Sequence, residues 1–98
     1  MDGEDFAAAS ALGALRCLQH GTTTVADSGP TGAAAGALRE AGLRGVVHLE
    51  VFGRQTGADA RDAAARHAER TAALDARGLV RIGVSPHAPY TVGPELWE

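Results

Sequence analysis

The side chains that could do chemistry in this 98-residue sequence are few. They are four histidines (His20, His48, His67, His87), the lone cysteine Cys17, Ser85, and a glycine-rich run from Gly29 to Gly36. The run Gly-Pro-Thr-Gly-Ala-Ala-Ala-Gly follows a β-branched stretch and opens a helix, where a phosphate-cradling loop would lie. Its glycine spacing is wrong for a dinucleotide fingerprint and there is no Walker lysine. A tight turn and close helix packing account for its glycines. Ser85, in Gly-Val-Ser-Pro-His, lacks the closing glycine of a nucleophile elbow. Cys17 lies within a helical pattern and reads as a small core residue. His20 follows a helix end, where a cation is mildly favourable. His67, beside Arg66 and near Glu69 and Arg70, reads as a solvated surface group. His48 alternates with valine and leucine in a strand pattern and, lacking an evident partner, reads as structural.

His87 stands apart. It follows a strand end in Ser85-Pro-His-Ala-Pro-Tyr90-Thr-Val. Two prolines within four residues restrict the backbone on both sides of one imidazole, and a binding site needs polar groups held in place by rigid elements. Spacing alone leaves two readings open: a proline-rich turn with an incidental histidine, or a preorganised binding group.

The elements that must position these residues alternate. Helical spacing of Phe6, Leu12, Leu15 and Leu18 predicts a helix over about 4–19, stopped at His20-Gly21. A short strand is expected over 22–27, with Asp27 either ending it or capping the Gly29 turn. A second helix over 31–41 follows Pro30 and ends at Gly42. Strands are expected over 44–52 and 80–85, around a third helix over 58–76, and a last helix should start near Pro94. In the second strand Val47, Leu49 and Val51 share one face, and His48, Glu50 and Phe52 the other. In the third, Val80, Ile82 and Val84 oppose Arg81, Gly83 and Ser85, with His87 continuing the polar parity. Strands separated by helices give parallel βαβ units with right-handed crossovers. An apolar strand face would pack on helices. A mixed polar face suits the interior of a (β/α)8 barrel better than a doubly wound sheet, which is covered on both sides. The expected fold class is therefore α/β: a partial (β/α)8 TIM barrel of about three consecutive parallel βα units. All of 1–98 is then one piece of a catalytic barrel, since a whole barrel needs about 250 residues.

Composition excludes several classes. The net charge of −3 and the absence of a basic cluster argue against a nucleic-acid partner. One cysteine permits no disulfide framework. No apolar run approaches the roughly 20 residues of a membrane span. The acidic start (Asp2, Glu4, Asp5) is unlike a signal peptide, so a cytoplasmic location is expected.

Two stretches carry a family resemblance. Gly21-Thr-Thr-Thr-Val-Ala-Asp27 resembles the second barrel strand of the amidohydrolase superfamily. Pro86-His-Ala-Pro-Tyr-Thr91 resembles the segment after the fourth strand in the branch holding the S-adenosylhomocysteine/methylthioadenosine deaminases, the aminofutalosine deaminases and the chlorohydrolase-like enzymes. Ala41-Gly-Leu-Arg-Gly-Val-Val and Leu49-Glu-Val-Phe-Gly53 are similar to the same branch, so the resemblance covers nearly the whole chain, as strands two to four of the parent barrel. It implies metal-assisted hydrolysis of a carbon–nitrogen bond other than a peptide, in a small amino-purine-like substrate. A divalent ion, zinc or iron, would be held by a His-x-His pair, a later histidine and an aspartate. None of that ligand set is recognisable in this sequence, so no metal ligand and no catalytic residue is assigned. The resemblance implies a substrate contact for His87, and Glu50 and Arg54 are further substrate-binding candidates at the end of the second strand. On this reading the chain alone binds no cofactor and has no activity, and its exposed sheet edges lead to self-association. The rival reading is a non-catalytic α/β interaction module or a pseudogene product.

Overall fold

The computed structural model describes every residue except Asp75, which falls inside the range expected for the third helix. Helix α1 spans Gly3–Gln19, strand β1 Thr24–Gly29, helix α2 Ala34–Ala41 and strand β2 Arg44–Val51. Helix α3 spans Gly57–Ala72 and strand β3 Val80–Pro86, and a single 3-10 turn occupies Pro94–Leu96, where a helix was expected to begin. The strands form one parallel sheet in the order β1-β2-β3, with Asp27 opposite Val47 and Val47 opposite Ile82. No described helix is long and apolar enough to cross a membrane.

Local chemistry sets the helix ends. Asp2 caps α1: its Oδ1 accepts from the Glu4 and Asp5 amides at 2.9 and 3.0 Å. Asp5 Oδ2 in turn accepts from the Asp2 amide at 2.8 Å. This reciprocal box satisfies amides that the first helical turn would leave unpaired, worth about 1 kcal/mol. Helix α2 begins three residues later than the 31–41 expected. The Pro30-Thr31-Gly32 turn intervenes, with the Thr31 hydroxyl accepting the Ala33 amide at 3.2 Å. Gly32 has a φ of 71°, and the Leu74 side chain occupies the space a Cβ would need. Turn and packing together thus account for this glycine.

The core lies between the sheet and the helices on one of its faces. Val47, Leu49, Val51 and Val80 are buried there, with Leu38 and Ala35 of α2 and Leu43 ahead of β2. Ile82 is half-buried against this cluster, and Val84 points the same way, into a hollow shared with Ala64, Ala68 and Leu96, but stays half-exposed. On the opposite face Val46, His48 and Glu50 are only half-buried, and Thr24, Ala26, Ser28 and Arg81 are exposed. The period of two is therefore real on β2 and β3, and one face carries the helices.

Helix α1 packs through an unexpected stripe. Phe6, Ser10, Ala14 and Cys17, spaced 4, 4 and 3 apart, are its buried or half-buried residues, and α1 rests mainly on α2. The leucines that mark its periodicity, Leu12, Leu15 and Leu18, are 58%, 50% and 45% exposed. Small side chains let two helix backbones approach closely; leucines on the contact face would hold them apart.

Candidate functional site

The site forms where the C-terminal ends of β2 and β3 meet. Beyond the regular ladder, the His87 amide donates to the Val51 carbonyl at 3.1 Å, and the Gly53 amide donates to Thr91 O at 2.9 Å. The Gly93 amide donates to Gly53 O at 2.7 Å, completing a parallel bridge between Gly53 and Val92. Within the loop, Ala88 O accepts the Thr91 and Val92 amides at 3.0 and 2.9 Å, and Ala88 and Val92 are buried. The loop after β3 is thus sewn to the chain after β2 by backbone hydrogen bonds on both sides of His87. Two prolines and a closed turn leave the backbone little freedom.

The His87 ring is contacted by two aromatic rings and one hydroxyl. Phe52 lies against it, ring centroids 4.7 Å apart at 30°, and Tyr90 meets it edge-on at 6.3 Å and 87°. Nδ1 is 2.9 Å from the Thr91 hydroxyl, which itself donates to Ala88 O at 3.1 Å. His87, Phe52 and Tyr90 are all exposed, and Nε2 makes no hydrogen bond to a described residue.

Register places the other residues of this sheet face in order behind it. Glu50 pairs with Ser85, and His48 with Gly83. His48 Nδ1 lies 3.3 Å from Asp27 O, so this ring reaches from β2 toward β1. A Cβ on Gly83 would come within 2.7 Å of the same ring, which would have to shift to admit it. Glu50 is half-buried beside a hollow of about 180 Å³ shared with Phe52, Gln55, Arg66 and Arg70. Arg54 is committed to the loop: its Nη1 donates to Pro89 O at 3.4 Å and Tyr90 O at 3.3 Å. The structure therefore brings His87, Phe52 and Glu50 to one face and end of the sheet, while Arg54 braces the loop that carries His87.

Two sequence readings need correction. His67 is not a solvated surface group: it is 8% exposed, on the face of α3 turned to the sheet. Its Nε2 is buried with no hydrogen-bond partner. Burial, and then the Arg70 guanidinium, lower its pKa below the usual 6.5, with the Leu49 carbonyl acting weakly in the other direction. Asp27 neither ends β1, which runs to Gly29, nor caps the turn; its parity is that of Val25. It lines a hollow of about 390 Å³ between α1, β1 and α2, on the face opposite His87. Sequence reasoning missed Thr91 and Gly83. Thr91 stood four residues after His87 in the quoted motif, and Gly83 faced His48 by parity alone.

Comparison with known proteins settles the lineage. The pattern of the amidohydrolase family matches residues 1–98. This chain belongs to the amidohydrolase family. It is also 35% identical over 98 residues to a curated protein of Symbiobacterium thermophilum, 5-methylthioadenosine/S-adenosylhomocysteine deaminase. That match covers 97% of this chain and 22% of the relative, so the chain spans about a fifth of that protein's length. Amidohydrolases are generally metal-dependent. Among the described residues of this amidohydrolase chain, no three His, Cys, Asp or Glu side chains converge as ligands. The described residues by themselves do not fit a metal centre.

Proposed function

We propose that these residues are strands two to four of an eight-stranded barrel in a metal-dependent hydrolase acting on carbon–nitrogen bonds other than peptides. Its reaction is deamination of an amino-purine-like substrate, and its metal, zinc or iron, is held by other parts of the barrel. The parallel β1-β2-β3 order, the helices on one face and the half-open polar face on the other support the barrel. Both substrates in the relative's name are adenine nucleosides, which supports the substrate class.

The observation that carries the reading is the His87 imidazole, exposed at the C-terminal end of β3 and contacted by Phe52 and Tyr90. Functional groups of such barrels gather at that end, and exposed aromatic faces suit a flat heterocycle. In this reading His87 hydrogen-bonds the substrate, Glu50 contributes polarity one register step below it, and Arg54 shapes the pocket through the loop.

The test is His87→Ala in the complete enzyme, with ammonia release from 5-methylthioadenosine and metal content measured on the same preparation. A lost hydrogen bond to substrate is worth about 1–3 kcal/mol, or on the order of 5- to 150-fold in kcat/KM. Metal content should stay at the wild-type level. Loss of metal with this substitution would move His87 into the metal shell, and unchanged kinetics would remove it from the site.

A further inference from the structure

We infer that Thr91 is a positioning residue that fixes the tautomer of His87, so that Nε2 meets the substrate as an acceptor and the substrate group opposite it is a donor. The inference rests on the reading of His87 as a substrate contact, but its structural half stands on geometry alone. A threonine hydroxyl has one proton. Here the oxygen is 3.1 Å from the Ala88 carbonyl and 2.9 Å from His87 Nδ1. The carbonyl can only accept, so where the Thr91 hydroxyl joins the Thr91 and Val92 amides on Ala88 O its proton is committed there. What Thr91 turns toward Nδ1 is then a lone pair, and a 2.9 Å contact is a hydrogen bond only if Nδ1 carries the proton. A neutral imidazole has one N–H, so Nε2 is left with its lone pair.

The relay is held firmly. Thr91 is half-buried, its own amide also goes to Ala88 O at 3.0 Å, and its carbonyl accepts the Gly53 amide at 2.9 Å. The side chain is thus tied at the backbone before it touches the ring. Phe52 packs against one side of the imidazole. A partner that fixes one ring nitrogen decides what the other can do. For an adenine nucleoside, an acceptor at Nε2 selects an N–H or O–H group, the exocyclic amine or a sugar hydroxyl, over a ring-nitrogen lone pair.

The experiment reads the tautomer directly. Histidine-labelled chain is observed by long-range proton–nitrogen correlation above the usual histidine pKa of about 6.5, with His87→Ala identifying the resonances. In the wild type, Nδ1 should show the protonated shift and Nε2 the bare one. Thr91→Val should move the ring toward the Nε2–H form, and Thr91→Ser, which keeps the hydroxyl, should restore the wild-type pattern. In the complete enzyme, Thr91→Val should raise KM about tenfold, the equivalent of one modest hydrogen bond, with kcat changed less and serine rescuing. A wild-type His87 in the Nε2–H form overturns the inference, as does a Thr91→Val chain with an unaltered tautomer. An Nδ1–H wild type that responds to Thr91→Val, in an enzyme whose kinetics ignore His87→Ala, upholds the tautomer and sinks the substrate contact, so the two failures are separable.

Discussion

Gly45→Ala and Gly13→Ala add the same methyl group and should change stability in opposite directions. Gly45 is buried in β2, beneath α2. A Cβ built there would lie 2.7 Å from Leu38 Cδ1 and 2.8 Å from the Val25 carbonyl oxygen. The leucine tip can rotate away, but the Val25 oxygen belongs to the backbone of β1, whose Val25 is registered against Gly45. Relief therefore requires moving β1 off β2 or tilting α2 off the sheet. Forcing a methyl into a packed interior costs about 1–3 kcal/mol, and a backbone obstacle places this case at the upper end. At about 4–8 °C per kcal/mol for a domain of this size, the melting temperature should fall by roughly 10–20 °C. Gly13 sits within α1, and nothing lies within 4 Å of its added Cβ. Alanine there should stabilise by up to about 1 kcal/mol, because glycine loses more backbone freedom in a helix. The assay is thermal unfolding by circular dichroism at low, matched concentration. A Gly45→Ala chain that melts at or above the wild type would refute the close packing of α2 on β2.

His67 gives a pH signature. Its folded pKa lies below the unfolded value of 6.5, so its contribution is complete above that pH. As pH falls below 6.5 the unfolded chain binds a proton that the fold resists, and stability drops until the folded pKa is passed. Melting temperatures at about pH 7.5 and 5.5 should therefore diverge more for wild type than for His67→Leu; equal divergence would mean that His67 is not the group responsible. The chain on its own should release no ammonia from adenosine-type substrates, with zinc present, because water activation needs convergent ligands. It should also associate through the open edges of β1 and β3, as light scattering would show. A monodisperse, metal-loaded chain that deaminates would defeat both expectations.

What the sequence revealed follows the physics of each element. Alternation is a strong signal when one face of a sheet is covered and the other is not, which is why Val47, Leu49, Val51 and Val80 were legible as the buried set. The first helix was legible as a helix but not in its orientation. Leu12, Leu15 and Leu18 look like a core stripe, yet the close contact with α2 takes Ser10, Ala14 and Cys17, and small residues carry no hydrophobic signal of their own. His67 was misread from its sequence neighbours Arg66, Glu69 and Arg70, whereas helical neighbours lie three and four residues away. Ala60, Ala63, His67, Thr71 and Leu74 form one stripe at that spacing, and it is the stripe turned to the sheet. The stiffness of the loop around His87 was legible from its two prolines. Thr91 and Phe52 were not assigned roles because both act through the ring itself, by a contact that only the meeting of β2 and β3 creates.

That meeting also determines which parts of the site are self-contained. The position of His87 depends on hydrogen bonds between residues 51–53 and 87–93, on Phe52 and on the Arg54 brace. No helix contributes to any of these contacts. Its geometry is a local property of one strand pair, the most extensive contact between elements among the described residues. His48 and Glu50 differ. They lie on the half-open face, and the Glu50 side chain has no hydrogen-bonding partner among the described residues, so their environment depends on what else packs there. Binding energy is useful in catalysis only where it orients the reacting group, and orientation demands an anchor that does not yield. On the proposed reading, a histidine whose ring is contacted only from its own strand pair meets that demand, and the chemistry is left to groups outside these residues.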